Sequence, residues 1–308
     1  MSRIDEALKR ASQGPGTGRG TSRVTEVPLR LAEERTLDEY PLESRSSDRS
    51  DRVLSTPDLA TITPARLDLR LRPDVAPQAV WLGADADGKL VAGASRNPVS
   101  LEQYRRLAAT LHEAQVEKGL RAVVVTSSVP REGKTLTAVN LALTLSESYG
   151  RRVLLIDADL RRPSVHELLG LQNERGLADV LHSDRAEIPT VQVSPLLTVL
   201  PAGPPDQNPL AGLSSERMRI LLEESTGRYD WVILDTPPLA LLSDAQLLSR
   251  LTQAAVFVIR AGVTPFAVVD RAITELGREF IIGTVLNGVD QNAVPATGYY
   301  GDYYDQGR

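Results

Sequence analysis

Residues 121–145 read RAVVVTSSVPREGKTLTAVNLALTL, and the rest of the chain is interpreted outward from them. AVVVTS is a short, continuous apolar run closed by turn formers, the pattern of a buried strand. LTAVNLALTL has the length and composition of a helix. Between them Gly133, Lys134 and Thr135 stand at the helix entry, where free backbone N–H groups and the helix dipole favour phosphate. A phosphate-binding loop also needs a lysine for the terminal phosphates and a hydroxyl for Mg2+. All three features are present, so Pro130, Arg131, Glu132, Gly133, Lys134, Thr135 and Leu136 are expected to contact a nucleotide. Two positions depart from G-x-x-x-x-G-K-[ST]: Ser128 replaces the first glycine, and Arg131 occupies a turn position that glycine would take more easily.

Lysine usage points to the same loop. The chain has 35 basic residues but only four lysines, at positions 9, 89, 118 and 134, so beyond residue 118 every cation but Lys134 is an arginine. An ammonium is a compact point charge that fits between phosphate oxygens where a planar guanidinium fits differently.

Downstream, apolar runs alternate with helical segments: VLLIDAD, LLTVLPAG, DWVILDTPP, AAVFVIRAG and IIGTVLNGV are separated by stretches such as SDAQLLSRLTQ. Continuous apolar strands joined by helices predict an α/β fold, a mostly parallel central sheet flanked by helices on both faces. Ligands of such sheets bind outside the carboxyl ends of the strands. Asp157 and Asp159 fall at one such end, expected on one face of an extended strand, with Arg161 following as a phosphate clamp. Asp235 ends another run, where a carboxylate would hold a Mg2+ shell. ATP with Mg2+ is the ligand this set predicts.

Composition removes competing chemistries. There is no cysteine, which excludes disulfides, thiol catalysis and zinc-thiolate sites and fits a reducing, cytosolic setting. A net charge of −5 argues against a nucleic-acid binder. His112, His166 and His182 have no metal-ligand spacing, and no G-x-S-x-G elbow follows a strand. No signal-peptide core and no run of about 18 apolar residues is present, so no membrane crossing is expected.

Four segments are expected. MSRIDEALKRAS, residues 1–12, carries an apolar stripe at Ile4, Ala7, Leu8 and Ala11 and reads as a short amphipathic helix. Residues 13–97 read as a largely disordered linker, with a short hairpin within 75–98. Residues 98–290 form the catalytic domain, opening on a helix with Ser100 as its cap. Residues 291–308 form a flexible tail holding four of the eight tyrosines, Tyr299, Tyr300, Tyr303 and Tyr304, although disordered segments are ordinarily poor in aromatics.

With TSSVPREGKT, LLIDADLRRP, RGLADVL, LPAGPPDQNPLAGLSSERM, YDWVILDTPPLALLSDA and VLNGV in that order, followed by clustered tyrosines, residues 98–308 resemble the bacterial polysaccharide-biosynthesis tyrosine autokinases. These BY-kinases have a P-loop NTPase domain of the MinD/ParA type. The resemblance implies that Lys134 stabilises the transferred phosphoryl group, that Thr135, Asp157 and Asp235 serve Mg2+, and that Asp159 accepts or positions the tyrosine hydroxyl proton, with Arg161 completing the D-x-D-x-R motif. It implies a contact from Asn287 to adenine and makes Tyr299, Tyr300, Tyr303 and Tyr304 acceptors in trans within a homo-oligomer. It further implies a membrane chain-length-determinant or co-polymerase protein as activator, a cognate tyrosine phosphatase, and a cytoplasmic enzyme held peripherally at the inner membrane. The family's E-x-x-R-x-x-R helix is matched by Glu102 and Arg105, with Ala108 in place of the last arginine. The alternatives are a ParA/MinD-type ATPase switch, whose early loop lysine is replaced here by Val129, and a nucleotide-binding scaffold that transfers nothing.

Overall fold

The computed structural model describes residues 70–71, 89–91, 97–182, 187–206, 208–240 and 243–289. The expected helix at 1–12, the hairpin apart from Lys89–Val91, and the tail with its four tyrosines lie outside these residues.

A 21-residue helix, α1 (Pro98–Lys118), leads in. Its cap is Asn97 rather than Ser100: the Asn97 side chain accepts from the N–H groups of Val99 and Ser100, and Pro98 takes the first helical position, where no N–H is needed. Gly119 closes the helix in the left-handed region at φ 69°. There follow β2 (Ala122–Ser127), α2 (Lys134–Glu147), β3 (Val153–Asp157), and two short helices, α3 (Val165–Leu169) and α4 (Leu177–His182). Next come β5 (Val191–Ser194), β6 (Leu197–Leu200), α5 (Pro209–Leu213), α6 (Glu216–Arg228) and β7 (Trp231–Asp235). The last elements are α7 (Asp244–Thr252), β8 (Ala255–Arg260), α8 (Phe266–Leu276) and β9 (Ile281–Asn287). Two two-residue strands, β1 (Arg70–Leu71) and β4 (Glu187–Ile188), pair with each other in parallel.

The seven-stranded sheet has the order β5-β6-β3-β7-β2-β8-β9. Only the β5–β6 pair is antiparallel. Alternation along the strands feeds two cores. Val123, Val125, Leu155 and Ile233 pack with α1, α2 and α3 on one face, while Val124, Ile156, Leu234 and Phe257 pack with helices from α4 to α8 on the other. β2, β3 and β7 are buried at every residue, the signature of a parallel sheet covered on both sides. Because β7 lies between β3 and β2, Asp235 is in register with Asp157 on one side and Val125 on the other. The sheet order alone therefore puts the two strand-end carboxylates beside the loop that follows β2. No helix among the described residues is long and apolar enough to cross a membrane.

Lys89–Val91, inside the stretch read as linker, sit on the domain. Leu90 and Val91 are each only 3% exposed. Asn140, buried on α2, pairs with this segment as a neighbouring strand would: its Oδ1 accepts from Val91 N at 2.9 Å and its Nδ2 donates to the Lys89 carbonyl at 3.1 Å. Asn140→Ala would strand both backbone groups, at about 1–3 kcal/mol for a buried unsatisfied polar group. The expected readout is faster tryptic cleavage after Lys89 with α2 still folded, and an unchanged cleavage rate would show that the clamp contributes nothing.

Candidate active site

The phosphate loop leaves β2 at Ser127 and enters α2 at Lys134 through Gly133, whose φ of 95° provides no side-chain cap and leaves the first N–H groups of α2 available to an anion. Glycine is required there twice over. The left-handed φ disfavours any other residue, and a Cβ would come within 2.0 Å of Asn287 Nδ2. Arg131 also adopts positive φ, 67°, without being glycine.

Neighbours hold that turn in place. The Arg260 guanidinium donates to the Arg131 carbonyl at 3.1 Å, and Asn287 Nδ2 donates to the Glu132 carbonyl at 2.8 Å. The Glu132 side chain, expected among the nucleotide contacts, points inward and is 1% exposed. Its carboxylate accepts from the N–H groups of Val129 and Arg260 and from the Thr264 hydroxyl. Glu132 is thus a brace between loop and β8, and Asn287, expected at adenine, directs its amide to the loop backbone. The loop after β7 adds a second brace: Thr126 Oγ1 donates to the Pro237 carbonyl, and the N–H groups of Leu239 and Ala240 donate to Ser127 and Ser128. Pro130 and Arg131 form the exposed lip, while Leu136 is half-buried against the α2 core.

Five of the expected residues converge behind that lip. Lys134 Nζ lies 2.9 Å from Asp159 Oδ2, 3.7 Å from Asp235 Oδ1 and 3.3 Å from Thr135 Oγ1. β3 ends at Asp157, so Asp159 stands in the following turn and does not share a strand face with it. The turn folds around both carboxylates instead. Asp157 Oδ2 accepts from the N–H groups of Ser164 and Val165, and Asp159 Oδ1 accepts from Arg162 N at 3.1 Å. The Arg161 side chain turns aside to Asp244, at 3.4 Å.

The electrostatics follow from burial. Three buried carboxylates surround one ammonium, leaving negative charge in excess. Burial, followed by the neighbouring Asp235, pushes the Asp157 carboxyl up to about 8. Burial pushes Asp235 up to about 6, against the pull of Lys134. Burial works against the charge on Lys134 as well, but Asp235 and Asp159 outweigh it and hold the ammonium above its ordinary pKa. Both Asp235 oxygens are buried without a hydrogen-bond partner among the described residues. Orphaned carboxylate oxygens beside a threonine hydroxyl fit a hard divalent cation with oxygen ligands.

Several participants had no signal in the sequence. Ser164 joins the two halves of the site, its hydroxyl 2.9 Å from Thr135 Oγ1 and its N–H on Asp157. Asp244, 2% exposed, holds Arg161. A serine after RRP and an aspartate in a helix's first turn look ordinary until the fold brings them here.

The chain is similar to known proteins. A family model described as an AAA domain matches residues 131–270. The chain is 36% identical over 223 residues to the tyrosine-protein kinase YwqD of Bacillus subtilis, covering 71% of this chain and 94% of the relative. It is 32% identical over 222 residues to the tyrosine-protein kinase wzc of Salmonella typhimurium, covering 70% of this chain but 30% of that protein. Among solved structures, the kinase domain of the Escherichia coli tyrosine kinase ETK aligns with a TM-score of 0.59 and 34% identity, over 65% of this chain and 79% of that one.

Proposed function

Because this chain belongs to the bacterial tyrosine-protein kinases, we propose that it phosphorylates the tyrosine cluster of its own segment 291–308 in trans and thereby regulates capsular or exopolysaccharide synthesis and export. The observation that carries this reading is the placement of Lys134 between Asp159 and Asp235 directly behind a phosphate loop.

In the step proposed, the acceptor phenolic oxygen bonds to the γ-phosphorus of ATP as the bond from that phosphorus to the β,γ-bridging oxygen breaks, and ADP leaves. The phenolic proton passes to Asp159, whose Oδ1 is held by Arg162 N. Lys134 neutralises charge on the transferred group, and the N–H groups at the start of α2 cradle the other phosphates. Thr135, Asp157 and Asp235 would hold the shell of a Mg2+ ion, which when bound supplies charge neutralisation across the phosphate oxygens. Phosphoryl transfer is mainly positioning and electrostatics, so this small set of charges suffices.

Each phosphotyrosine adds about 1.5 to 2 negative charges near neutral pH. Next to Asp302 and Asp305, several of them would repel one another and any acidic docking surface, releasing subunits of a homo-oligomer. The same family reading supplies the partners: a membrane-embedded chain-length-determinant or co-polymerase activator that holds the kinase at the inner face of the membrane, and a tyrosine phosphatase that resets it. Residues 1–12 are the proposed docking helix for the activator.

Replacing Tyr299, Tyr300, Tyr303 and Tyr304 together with phenylalanine is expected to remove phosphate from tryptic peptide 279–308 while ATP binding is retained. Labelling that persists elsewhere at the full level would overturn the acceptor assignment. ATP turnover with no phosphotyrosine in the unaltered chain would point to an ATPase switch.

A further inference from the structure

DLRRP follows the carboxylate that contacts Lys134, and its two arginines have different fates. Arg161 is half-buried and tied to Asp244. Arg162 is exposed and makes no ion pair among the described residues, although its backbone is pinned to Asp159 Oδ1 at 3.1 Å while Asp159 Oδ2 receives Lys134 Nζ at 2.9 Å. The Arg162 guanidinium, exposed, is thus carried on the turn that holds the carboxylate paired with Lys134. Arg131 and Arg260, also exposed, stand at the phosphate-loop lip, on the nucleotide's side.

An acceptor tyrosine entering this site brings its flanking residues along. Adjacent residues in an extended chain are offset by roughly 3.3 to 3.6 Å and next-but-one residues by about twice that, close to the screening length of about 8 Å at physiological ionic strength, so an adjacent carboxylate presents the stronger field. In the proposed acceptor segment Asp302 immediately precedes Tyr303 and Asp305 immediately follows Tyr304, whereas Tyr299 and Tyr300 have only Gly and Tyr as adjacent residues. An unengaged guanidinium is well suited to carboxylates, which it binds through a planar fork.

We propose that Arg162 reads acidic residues beside the acceptor tyrosine, so that Tyr303 and Tyr304 are phosphorylated ahead of Tyr299 and Tyr300. This rests on the acceptor reading above and adds to it a rule for substrate choice: tyrosines with an adjacent carboxylate. The transfer is the one already written, and Arg162 contributes acceptor binding without exchanging a proton.

The test uses two full-length chains. The enzyme carries phenylalanine at all four tail tyrosines, the acceptor carries Lys134→Ala, and site-resolved mass spectrometry follows peptide 279–308 over time with ATP and Mg2+. Early phosphate is expected on Tyr303 and Tyr304. Asp302→Asn with Asp305→Asn in the acceptor should lower their initial rates about two- to fivefold, the scale of an exposed ion pair. Arg162→Gln in the enzyme should give the same loss, leave the KM for ATP unchanged, and make the enzyme indifferent to the acceptor change. Arg162→Glu with lysines at acceptor positions 302 and 305 should recover the rate, read here on peptide 280–308 cut after Glu279 because trypsin would cleave at the new lysines. Equal early rates at all four tyrosines, or losses that simply add, would overturn the proposal. The acceptor-side change leaves the enzyme unaltered, so a folding defect in an Arg162 variant cannot imitate it. Absence of tail phosphate in every combination would overturn the acceptor reading and this rule with it, a result distinct from labelling that ignores charge.

Discussion

Lys134→Ala is expected to lower the rate of tyrosine phosphorylation by at least about a hundredfold, the loss typical when one preorganised donor to a transition-state charge is removed. Lys134 is the only lysine beyond residue 118, and its ammonium lies within hydrogen-bond distance of Asp159 and 3.7 Å from Asp235. Lys134→Arg should rescue little. The slot is buried, with the lysine side chain 11% exposed, and a planar guanidinium cannot occupy the place of a point charge among three carboxylates. A structural cost comes with the catalytic one. Removing one partner of a buried ion pair leaves charge uncompensated, at about 3–5 kcal/mol. The variant should therefore melt earlier at pH 8, and the gap should narrow in mild acid as Asp157 and Asp235 take up protons. Single-turnover labelling of peptide 279–308 at a temperature where both forms are folded separates the two effects, and transfer at the unaltered rate would remove Lys134 from the chemistry.

The lysine, the loop and the strand-end carboxylates were legible in the sequence because each is a local pattern with one physical meaning. GKT after an apolar run can serve a phosphate, and VLLID and WVILD are short apolar runs ended by turn formers, the pattern of buried strands. What the sequence did not disclose depends on contacts between distant residues. Glu132 reads as part of the loop, yet its carboxylate is committed to Arg260 N and Thr264, some 130 residues away. Asn287 ends an apolar strand and is placed at adenine by the family resemblance, and only the parallel β8–β9 pairing brings its amide onto the loop backbone. Asn140 is one of several polar residues in a mostly buried helix until Lys89–Val91 pack against it. Asn97 is a different case: an asparagine before a proline is a local capping signal, which naming Ser100 as the cap left out.

Asp235→Asn is expected to act in opposite directions with and without magnesium. Asp157 near 8 and Asp235 near 6 are both raised above the ordinary aspartate value of about 3.9. A carboxyl raised on folding contributes stability that is fully present below its unfolded pKa and is lost as pH rises through its folded one. The metal-free protein should therefore lose melting temperature between pH 5 and pH 8, in proportion to the excess charge crowded around Lys134. Mg2+ takes ionised carboxylates as ligands, so its stabilisation should be greatest where the metal-free protein is weakest. At a hundredfold excess over its dissociation constant that amounts to about 2.7 kcal/mol, or roughly 5 to 10 °C for a domain of this size. The asparagine variant removes one of the excess charges while keeping the side chain's volume. In EDTA at pH 8 it should melt above the unaltered protein. It should also lose the Mg2+-dependent rise and the phosphoryl transfer. Melting curves from pH 5 to 8 with EDTA or Mg2+ decide the matter: an equal Mg2+ response in both proteins would place the ion elsewhere, and a metal-free melting temperature flat across that range would mean that the buried carboxylates are compensated by groups other than Lys134.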